Sequence, residues 1–444
     1  MKDQPPPSSL KRVITAPQLW AIAVGLVISG EYFGWNYGWA TSGTLGFLGS
    51  TLLVTVLYVA FIFSYTELTA ALPSAGGAAT YARRAFGPTG GFVAGFATLV
   101  DFLLAPPAIA YALGSYAHFL YPALPVLPVA VGTYGVFIAL NWFGVKSSAT
   151  FSFWITLISV VELVVFMVLV WPHFRWENFL AHNPTRVGWR EIFGGIPFAI
   201  WFFVAIEGVA MVAEEVKNPH KTIPRGYVSS ILTLVVLALG VMILSAGVGD
   251  WRTLAEHDHP LPGALAAALG EQSGWAKLFA GLGLFGLVAS FHCNTLSYSR
   301  QLYALAREGY LPDLLASLHP RYRTPHWALL AGGAVGLLAI FTGTTDEIIV
   351  LSVLGAVVMY GVSMAALLVL RHREPHLPRP FRAPLYPWLP LVALVLSVVC
   401  MVAIAYANPG LSALFFAGLA VGLALFRAVG YKYVKAATAP ASVG

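Results

Sequence analysis

The chain has 444 residues, of which 58% are hydrophobic and only 10% are charged, whereas about 25% of the residues of an ordinary soluble protein are charged. This composition excludes a water-soluble globule and also a disordered chain, which needs low hydrophobicity and high charge. The formal net charge is +6, but the basic residues fall in short segments between apolar stretches and form no basic face for nucleic acid. The two cysteines, Cys293 and Cys400, lie in apolar runs and are too few for a disulfide scaffold.

A transmembrane helix needs about 20 mostly apolar residues. Twelve stretches of the chain approach or exceed this length, and the segments between them are too short for a soluble catalytic domain. We therefore predict an all-α polytopic membrane protein with 12 transmembrane helices, and we expect no enzymatic activity. In chain order, the predicted spans are 17–39, 46–71, 89–120, 125–143, 149–171, 192–213, 226–248, 274–300, 326–343, 347–370, 386–406 and 409–430.

The positions of lysine and arginine predict how the spans are oriented, because loops rich in these residues stay in the cytoplasm. Most of them, including Arg83 and Arg371, fall in loops on the same side as the N-terminus. We therefore predict cytosolic tails at 1–16 and 431–444. The expected location is the inner (plasma) membrane of the cell.

Four acidic residues lie deep inside predicted spans, away from the span ends: Glu31, Asp101, Glu162 and Glu207. No lysine or arginine falls deep in any span. An ionisable residue at membrane depth is energetically expensive and indicates a function. Either some of the four acids are protonated, or a cation from outside the protein supplies the missing charge.

Glycine interrupts the first and sixth spans next to two of these acids. Gly30 and Gly34 flank Glu31, and Gly208 follows Glu207. Each glycine weakens a helix by about 1 kcal/mol relative to alanine, and interrupted spans at corresponding places predict two inverted repeats with a binding site near the middle of the membrane. The alternative is that these glycines only allow close helix packing.

Three separately placed motifs resemble the amino acid–polyamine–organocation superfamily of transporters. They are ELTAALPSAGGAATY at 67–81, EEVKNPHKTIP at 214–224 and RQLYALAREGYLP at 300–312. The resemblance covers nearly the whole chain. It implies a fold of the leucine-transporter type, with broken helices 1 and 6, inverted repeats at 17–171 and 192–370, and two appended helices at 386–430.

Within that superfamily, the stretch SGEYFGWNYGW at 29–39 resembles the bacterial ethanolamine permeases. In amino-acid transporters of the superfamily, small residues at this place free backbone N–H groups that accept the substrate carboxylate. This chain has Glu31 instead, and a second carboxylate beside it at low dielectric would cost several kcal/mol. The resemblance therefore implies a small cationic amine without a carboxylate, ethanolamine or else choline, with Glu31 as its counter-ion.

Aromatic side chains near the two interruptions are further substrate-binding candidates. Tyr32, Trp201 and Phe202 flank them, and a desolvated cation–π contact with a small ammonium contributes about 0.5 to 2 kcal/mol. For Trp201 the resemblance implies a gating wall, and the alternative is plain packing.

Four polar or small residues complete the predicted site around the interruptions. Ser29, Gly30 and Ala205 are expected to line unwound backbone, and Asn294 of the eighth span is expected to recognise a substrate hydroxyl. The eighth span has a single serine where sodium-coupled relatives carry paired hydroxyls. We therefore expect no metal site and no cofactor.

The remaining acids have more than one interpretation. Asp101 lies one turn before Pro106 and Pro107, which are expected to open the third span locally; it is a substrate-binding candidate or a structural acid. Glu207 is a candidate for amine binding and for proton coupling, and Glu162 is a candidate for proton coupling.

The sequence thus predicts a secondary transporter that imports a small organic amine by alternating access. An amino-acid permease of the same superfamily and a non-transporting membrane receptor stay open as alternatives. The membrane potential alone is the favoured driving force, with proton coupling as the other possibility. The sequence does not indicate an oligomeric state.

Overall fold

A computed structural model describes residues 12–143, 145–184, 187–270, 274–342, 344–430 and 433–434, so most of both predicted tails lies outside the described residues. Within this part of the chain the structure is helical, and the only β-type pairing is an isolated bridge between Ile14 and Val216. The α-helices are α1 (Ala16–Val27), α2 (Ser29–Tyr32), α3 (Tyr37–Ala71), α4 (Gly77–Leu120), α5 (Val126–Trp142), α6 (Val145–Val170), α7 (Trp176–Leu180), α8 (Trp189–Trp201), α9 (Pro219–Ala246), α10 (Trp251–Leu254), α11 (Pro260–Leu269), α12 (Gly274–Arg307), α13 (His326–Ile340), α14 (Thr345–Arg373), α15 (Trp388–Ala407) and α16 (Pro409–Leu425).

The predicted fold class is confirmed. Over the described residues, 9 helical segments are long and apolar enough to cross a membrane. The other three predicted spans correspond to the shorter helices α5 and α13 and to the interrupted first span, which begins with α1. The chain is therefore an all-α polytopic membrane protein.

Two long helices contain a sharp bend at a glycine. The bends fall at Gly43 in α3, with φ 64°, and at Gly87 in α4, with φ 79°. Both values lie in the left-handed region, which glycine adopts at little cost. The expected opening of the third span at Pro106 and Pro107 is wrong, because α4 departs from helical dihedral angles only at Gly87. A proline keeps the helical φ, so it removes a backbone donor without having to unwind the helix.

Both described ends of the chain lie at one end of the helix bundle, which we call the terminal end. Ile14 pairs with the segment after Glu215 through the backbone bonds Ile14 N–Glu215 O at 3.0 Å and Lys217 N–Ile14 O at 2.8 Å. At the same end, Gly309 packs against the backbone at Tyr433.

Ion pairs tie helices together at the terminal end. Arg300 of α12 contacts Glu215 at 3.2 Å, and both side chains are buried. Glu67 of α3 contacts Arg371 at 2.5 Å and Arg379 at 3.1 Å. Breaking a buried pair by removing one partner typically costs about 3 to 5 kcal/mol, so these contacts hold the terminal end closed.

The opposite end is covered by the segment between α9 and α12. Asn36 Nδ2 donates to the carbonyls of Leu254 and His257, both at 2.9 Å. The Tyr37 hydroxyl donates to Asp258. This segment, 251–269, therefore packs directly on the interruption of the first span, and we call it the covering segment.

Candidate functional site

The first span is interrupted between Tyr32 and Tyr37. After the short turn α2, Phe33 is extended and Gly34 has φ 93°. A Cβ at Gly34 would also lie 2.5 Å from Trp201 Nε1, so only glycine satisfies both the backbone conformation and the close contact. The predicted interruption is present, but Ser29 and Gly30 lie in the helical turn α2 and the irregular backbone begins at Phe33.

The sixth span is interrupted between α8 and a 3-10 helix, Ile206–Glu215. The turn consists of residues 202–205, and Ala205 has φ 75° and ψ 0°. A non-glycine residue in the left-handed region costs on the order of 1 kcal/mol or more. Ala205 therefore lies in irregular backbone, as the sequence predicts.

The two interruptions pack against each other. A Cβ added at Gly30 would lie 2.3 Å from the carbonyl oxygen of Trp201 and 3.1 Å from Phe202 Cα. The Phe33 and Trp201 rings meet edge to face with centroids 5.6 Å apart, and Trp35 stacks on Phe202 at 6.1 Å. The predicted aromatic candidates Trp201 and Phe202 thus lie at the junction of the first and sixth spans.

Glu31 lies in the turn α2 and is 0% exposed. Neither of its carboxylate oxygens has a hydrogen-bond donor among the described residues. Burying an unpaired carboxylate costs several kcal/mol, even after the surroundings relax. Glu31 must therefore either carry a proton or receive a cation when this end of the first span is closed.

Asp101 and Glu207 form a second group. Ser352 Oγ donates to Asp101 Oδ1 at 2.7 Å, and Tyr360 Oη donates to Glu207 Oε2 at 3.2 Å. The Asp101 and Glu207 side chains thus join α4, the 3-10 helix and α14.

Glu162 of α6 belongs to a third group around Tyr32. Tyr32 Oη donates to Glu162 Oε2 at 2.7 Å, and Tyr116 Oη donates to the Tyr32 carbonyl at 2.9 Å. The Tyr32 ring rests on Gly286, where a Cβ would lie 2.2 Å from it. Tyr32, a predicted substrate ligand, is therefore held by contacts with α4, α6 and α12.

Ser29 and Asn294 meet where α1 ends. Ser290 Oγ lies 2.8 Å from both Ser29 Oγ and the Leu26 carbonyl. Asn294 Nδ2 donates to the same carbonyl at 2.9 Å. The carbonyls of a last helical turn need such donors. The amide nitrogen of Asn294 is thus occupied by the protein, while its Oδ1 has no donor within the described part of the chain.

The sequence analysis missed three hydroxyl groups of the Asp101–Glu207 group. Ser352 and Tyr360 lie on α14, and Tyr58 of α3 contacts the Tyr360 hydroxyl at 2.7 Å. Each is a single hydroxyl in an apolar span; a buried serine usually bonds to its own helix backbone, and a buried tyrosine is common in a packed core. Only the tertiary structure, in which α14 packs against α4, shows that these hydroxyls lie at the two acids.

Comparison with known proteins places the whole fold in one family. Residues 14–432 match the family model described as amino acid permease. The branched-chain amino acid permease BcaP of Bacillus subtilis is 25% identical over 96% of this chain and 95% of its own length. The low-affinity putrescine importer PlaP of Escherichia coli is 27% identical over 65% of each chain. The human cystine/glutamate transporter is 27% identical over 90% of this chain and 81% of its own.

Proposed function

The chain belongs to the amino acid permease family and is a secondary transporter, and we propose that it imports a small organic amine, ethanolamine, by alternating access. The observation that carries the proposal is Glu31: a buried carboxylate, without a donor in the described chain, in the helical turn before an interrupted span. A bound ammonium supplies both the missing charge and the missing donors.

Glu31 argues against substrates that carry a carboxylate. A substrate carboxylate bound at the first interruption would meet Glu31 at low dielectric, where like charges repel by several kcal/mol. An amine that lacks the carboxylate avoids this repulsion. Of the relatives named above, the putrescine importer is named for a substrate without a carboxylate.

Aromatic packing supports an ammonium at the same place. The Trp201 ring meets Phe33 edge to face, and Trp201 Nε1 has no acceptor among the described residues. We propose that Trp201, Phe202 and Tyr32 enclose the ammonium bound to Glu31, since an aromatic face attracts a desolvated cation. Ser29, Gly30, Ala205 and Asn294 Oδ1 complete the proposed binding site.

The other two acids of the proposed site are Asp101 on α4 and Glu207, which follows the sixth-span interruption. We propose that their negative charge contributes to the attraction of the ammonium. The proposed location is the inner membrane with both termini in the cytoplasm, which places the terminal end on the cytoplasmic side.

The test is uptake by purified protein in liposomes, with ethanolamine, choline, putrescine, serine and leucine as radiolabelled substrates. We expect ethanolamine to be taken up and serine, which differs from it by the carboxylate, to be excluded. Comparable uptake of serine and ethanolamine would contradict the proposal and favour an amino-acid permease, the function named for BcaP. Binding without uptake of any of these compounds would favour a receptor.

A further inference from the structure

We propose that the protein binds one anionic phospholipid in a groove on its membrane-facing side, with an acyl chain in the groove and the lipid phosphate at Arg373. The groove lies between α4, α14 and α15 and has a volume of about 510 Å³. We call it the α4–α15 groove. Its lining includes Phe86 and Val93 of α4, Gly361 and Ala365 of α14, and Leu394 and Met401 of α15.

Small residues leave this groove open. A Cβ added to Gly361 of α14 would have the Ser397 Cβ of α15, at 3.9 Å, as its nearest neighbour. Phe86 is 42% exposed and Val398 is 47% exposed, so the groove opens sideways, away from the bundle. In a membrane-spanning chain that side meets lipid. An empty groove forfeits van der Waals contacts, and an acyl chain restores them.

The groove has the depth of one leaflet. Trp388 begins α15 and is 70% exposed, and exposed tryptophan is typical of the boundary between hydrocarbon and headgroups. At about 1.5 Å per residue, Leu394 and Met401 lie about 9 and about 20 Å along α15 from Trp388. One leaflet contributes about 15 Å to a hydrocarbon core of about 30 Å. The groove therefore runs beside the acyl chains of the leaflet at the terminal end.

A guanidinium group lies at the mouth of the groove. Arg373 Nη1 donates to the Ala85 carbonyl at 3.0 Å, and Ala85 directly precedes Phe86, which lines the groove. The Arg373 side chain belongs to an exposed residue, and it forms no ion pair with any described residue. Its remaining N–H groups are therefore available to a ligand at the surface of the membrane.

The charges around Arg373 do not cancel its own. Arg84 and Glu374 pair with each other at 2.7 Å, and Arg371 pairs with Glu67. The mouth of the groove therefore has a net positive charge. Arginine binds phosphate oxygens through two parallel hydrogen bonds, and basic groups beside a membrane attract anionic lipids. The groove and the charge together select a ligand that is apolar at one end and anionic at the other.

Native mass spectrometry of the purified full-length protein, titrated in detergent with dioleoyl phosphatidylglycerol, tests the site. We expect one such lipid to bind at least about tenfold more tightly than dioleoyl phosphatidylcholine, because one charge-assisted hydrogen bond supplies about this factor. Arg373→Gln should abolish the preference. The matched control is Arg321→Gln, which removes the same charge from an exposed position in the loop before α13 and should keep the preference.

Gly361→Leu tests the apolar part of the site, because it fills the groove and leaves Arg373 in place. The helix should accept this side chain, since its Cβ meets nothing closer than 3.9 Å. We expect Gly361→Leu to weaken binding of both lipids. Gly135→Leu adds the same side chain on α5, where a Cβ meets nothing within 4 Å, and should bind both lipids as the native protein does. Thermal melting without lipid identifies any variant that does not fold.

Three results would overturn the proposal. Equal affinity for the two lipids would mean that the charge at Arg373 selects nothing. Native binding of phosphatidylglycerol in folded Arg373→Gln or in folded Gly361→Leu would place the lipid elsewhere. Loss of a dimer in Gly361→Leu, measured by size-exclusion chromatography, would assign the groove to a second copy of the chain. None of these measurements involves amine uptake, so failure of the lipid site and failure of the proposed function are distinguishable.

Discussion

The four acids deep in the predicted spans differ in the donors that reach them, and this difference supports the roles that we propose for them. Glu162 has the Tyr32 hydroxyl, Asp101 has the Ser352 hydroxyl, and Glu207 has the Tyr360 hydroxyl. Glu31 alone has both carboxylate oxygens without a donor in the described chain. An acceptor-only group without donors is the one whose free energy improves most when a cation binds. This difference supports our proposal that the ammonium binds at Glu31.

Replacing Glu31 by glutamine should weaken amine binding by at least two orders of magnitude. Loss of one partner of a buried pair costs about 3 to 5 kcal/mol, and each tenfold in affinity corresponds to about 1.4 kcal/mol. Isothermal titration of purified Glu31→Gln with ethanolamine measures the change.

The control for this variant is Glu162→Gln, which should bind ethanolamine within severalfold of the native protein. Without substrate, Glu31→Gln should melt no lower than the native protein, because it removes a buried group that has no partner. Native affinity in a folded Glu31→Gln protein would move the counter-ion to another residue.

At the scale of elements, the two interrupted spans depend on a contact that tolerates no side chain. Gly30→Ala would place a methyl group 2.3 Å from the Trp201 carbonyl oxygen. The contact is with backbone, which cannot rotate away, so we expect destabilisation at the upper end of the about 1 to 3 kcal/mol typical of overpacking.

Gly132→Ala is the matched control, since a Cβ there meets nothing within 4 Å. Thermal melting in detergent should show a lower midpoint for Gly30→Ala only, and equal midpoints would contradict the packing described here.

The covering segment should loosen in acid. Burial, then the charges of His257 and His118, lower the pKa of His259 from 6.5 to about 4. Because the closed structure binds this proton less readily than the open one, acidification from pH 7 toward pH 4 favours opening. Burial raises the pKa of Asp258, which acts in the opposite direction.

Hydrogen exchange of the covering segment measures this effect, with protection factors that correct for the intrinsic pH dependence of exchange. Protection should fall between pH 7 and pH 4 in the native protein. His259 Nδ1 lies 2.9 Å from Ser115 Oγ of α4. His259→Gln retains a polar side chain beside Ser115 but cannot titrate, so it should remove the fall and leave only the effect of Asp258. Protection that is equal at both pH values in the native protein would show that His259 does not control this segment.

Local sequence patterns predicted the elements but only part of the site. Long apolar runs require helices in a membrane, because every backbone group must be paired within the segment, and the spans followed from this. The first interruption was predictable because Gly30 and Gly34 flank Glu31. Gly208 indicated the sixth-span interruption only approximately, since the turn lies at residues 202–205 and Gly208 is in the helix that follows. The partner of Asp101 was not predictable, since Ser352 is far from it in the sequence and only tertiary packing brings them together. The bends at Gly43 and Gly87 fall in stretches that the sequence analysis left between predicted spans, 40–45 and 72–88.

At the scale of the whole molecule, the bundle is closed at both ends. Arg300–Glu215 and the Glu67 pairs hold the terminal end, and the covering segment holds the other through Asn36. The acids lie between these closures, and no basic side chain of the described chain contacts them. We propose that a cation that reaches Glu31 meets no fixed positive charge there, and that its own charge is the one that crosses.

This charge balance predicts that the membrane potential drives uptake. If the empty protein returns without a proton on Glu31 and the other buried acids keep their protonation states through the cycle, each import cycle moves one positive charge, and the potential contributes about 2.3 kcal/mol per 100 mV. The measurement is ethanolamine uptake into liposomes in which potassium and valinomycin set the potential. An inside-negative potential should accelerate accumulation without sodium, and accumulation should rise as the potential is made more negative. Liposomes clamped at zero potential with the same pH on both sides are the control and should only equilibrate the substrate. Uptake that is independent of the potential and requires sodium or a proton gradient would contradict this mechanism, because a second ion would then have to bind among the buried acids in each cycle.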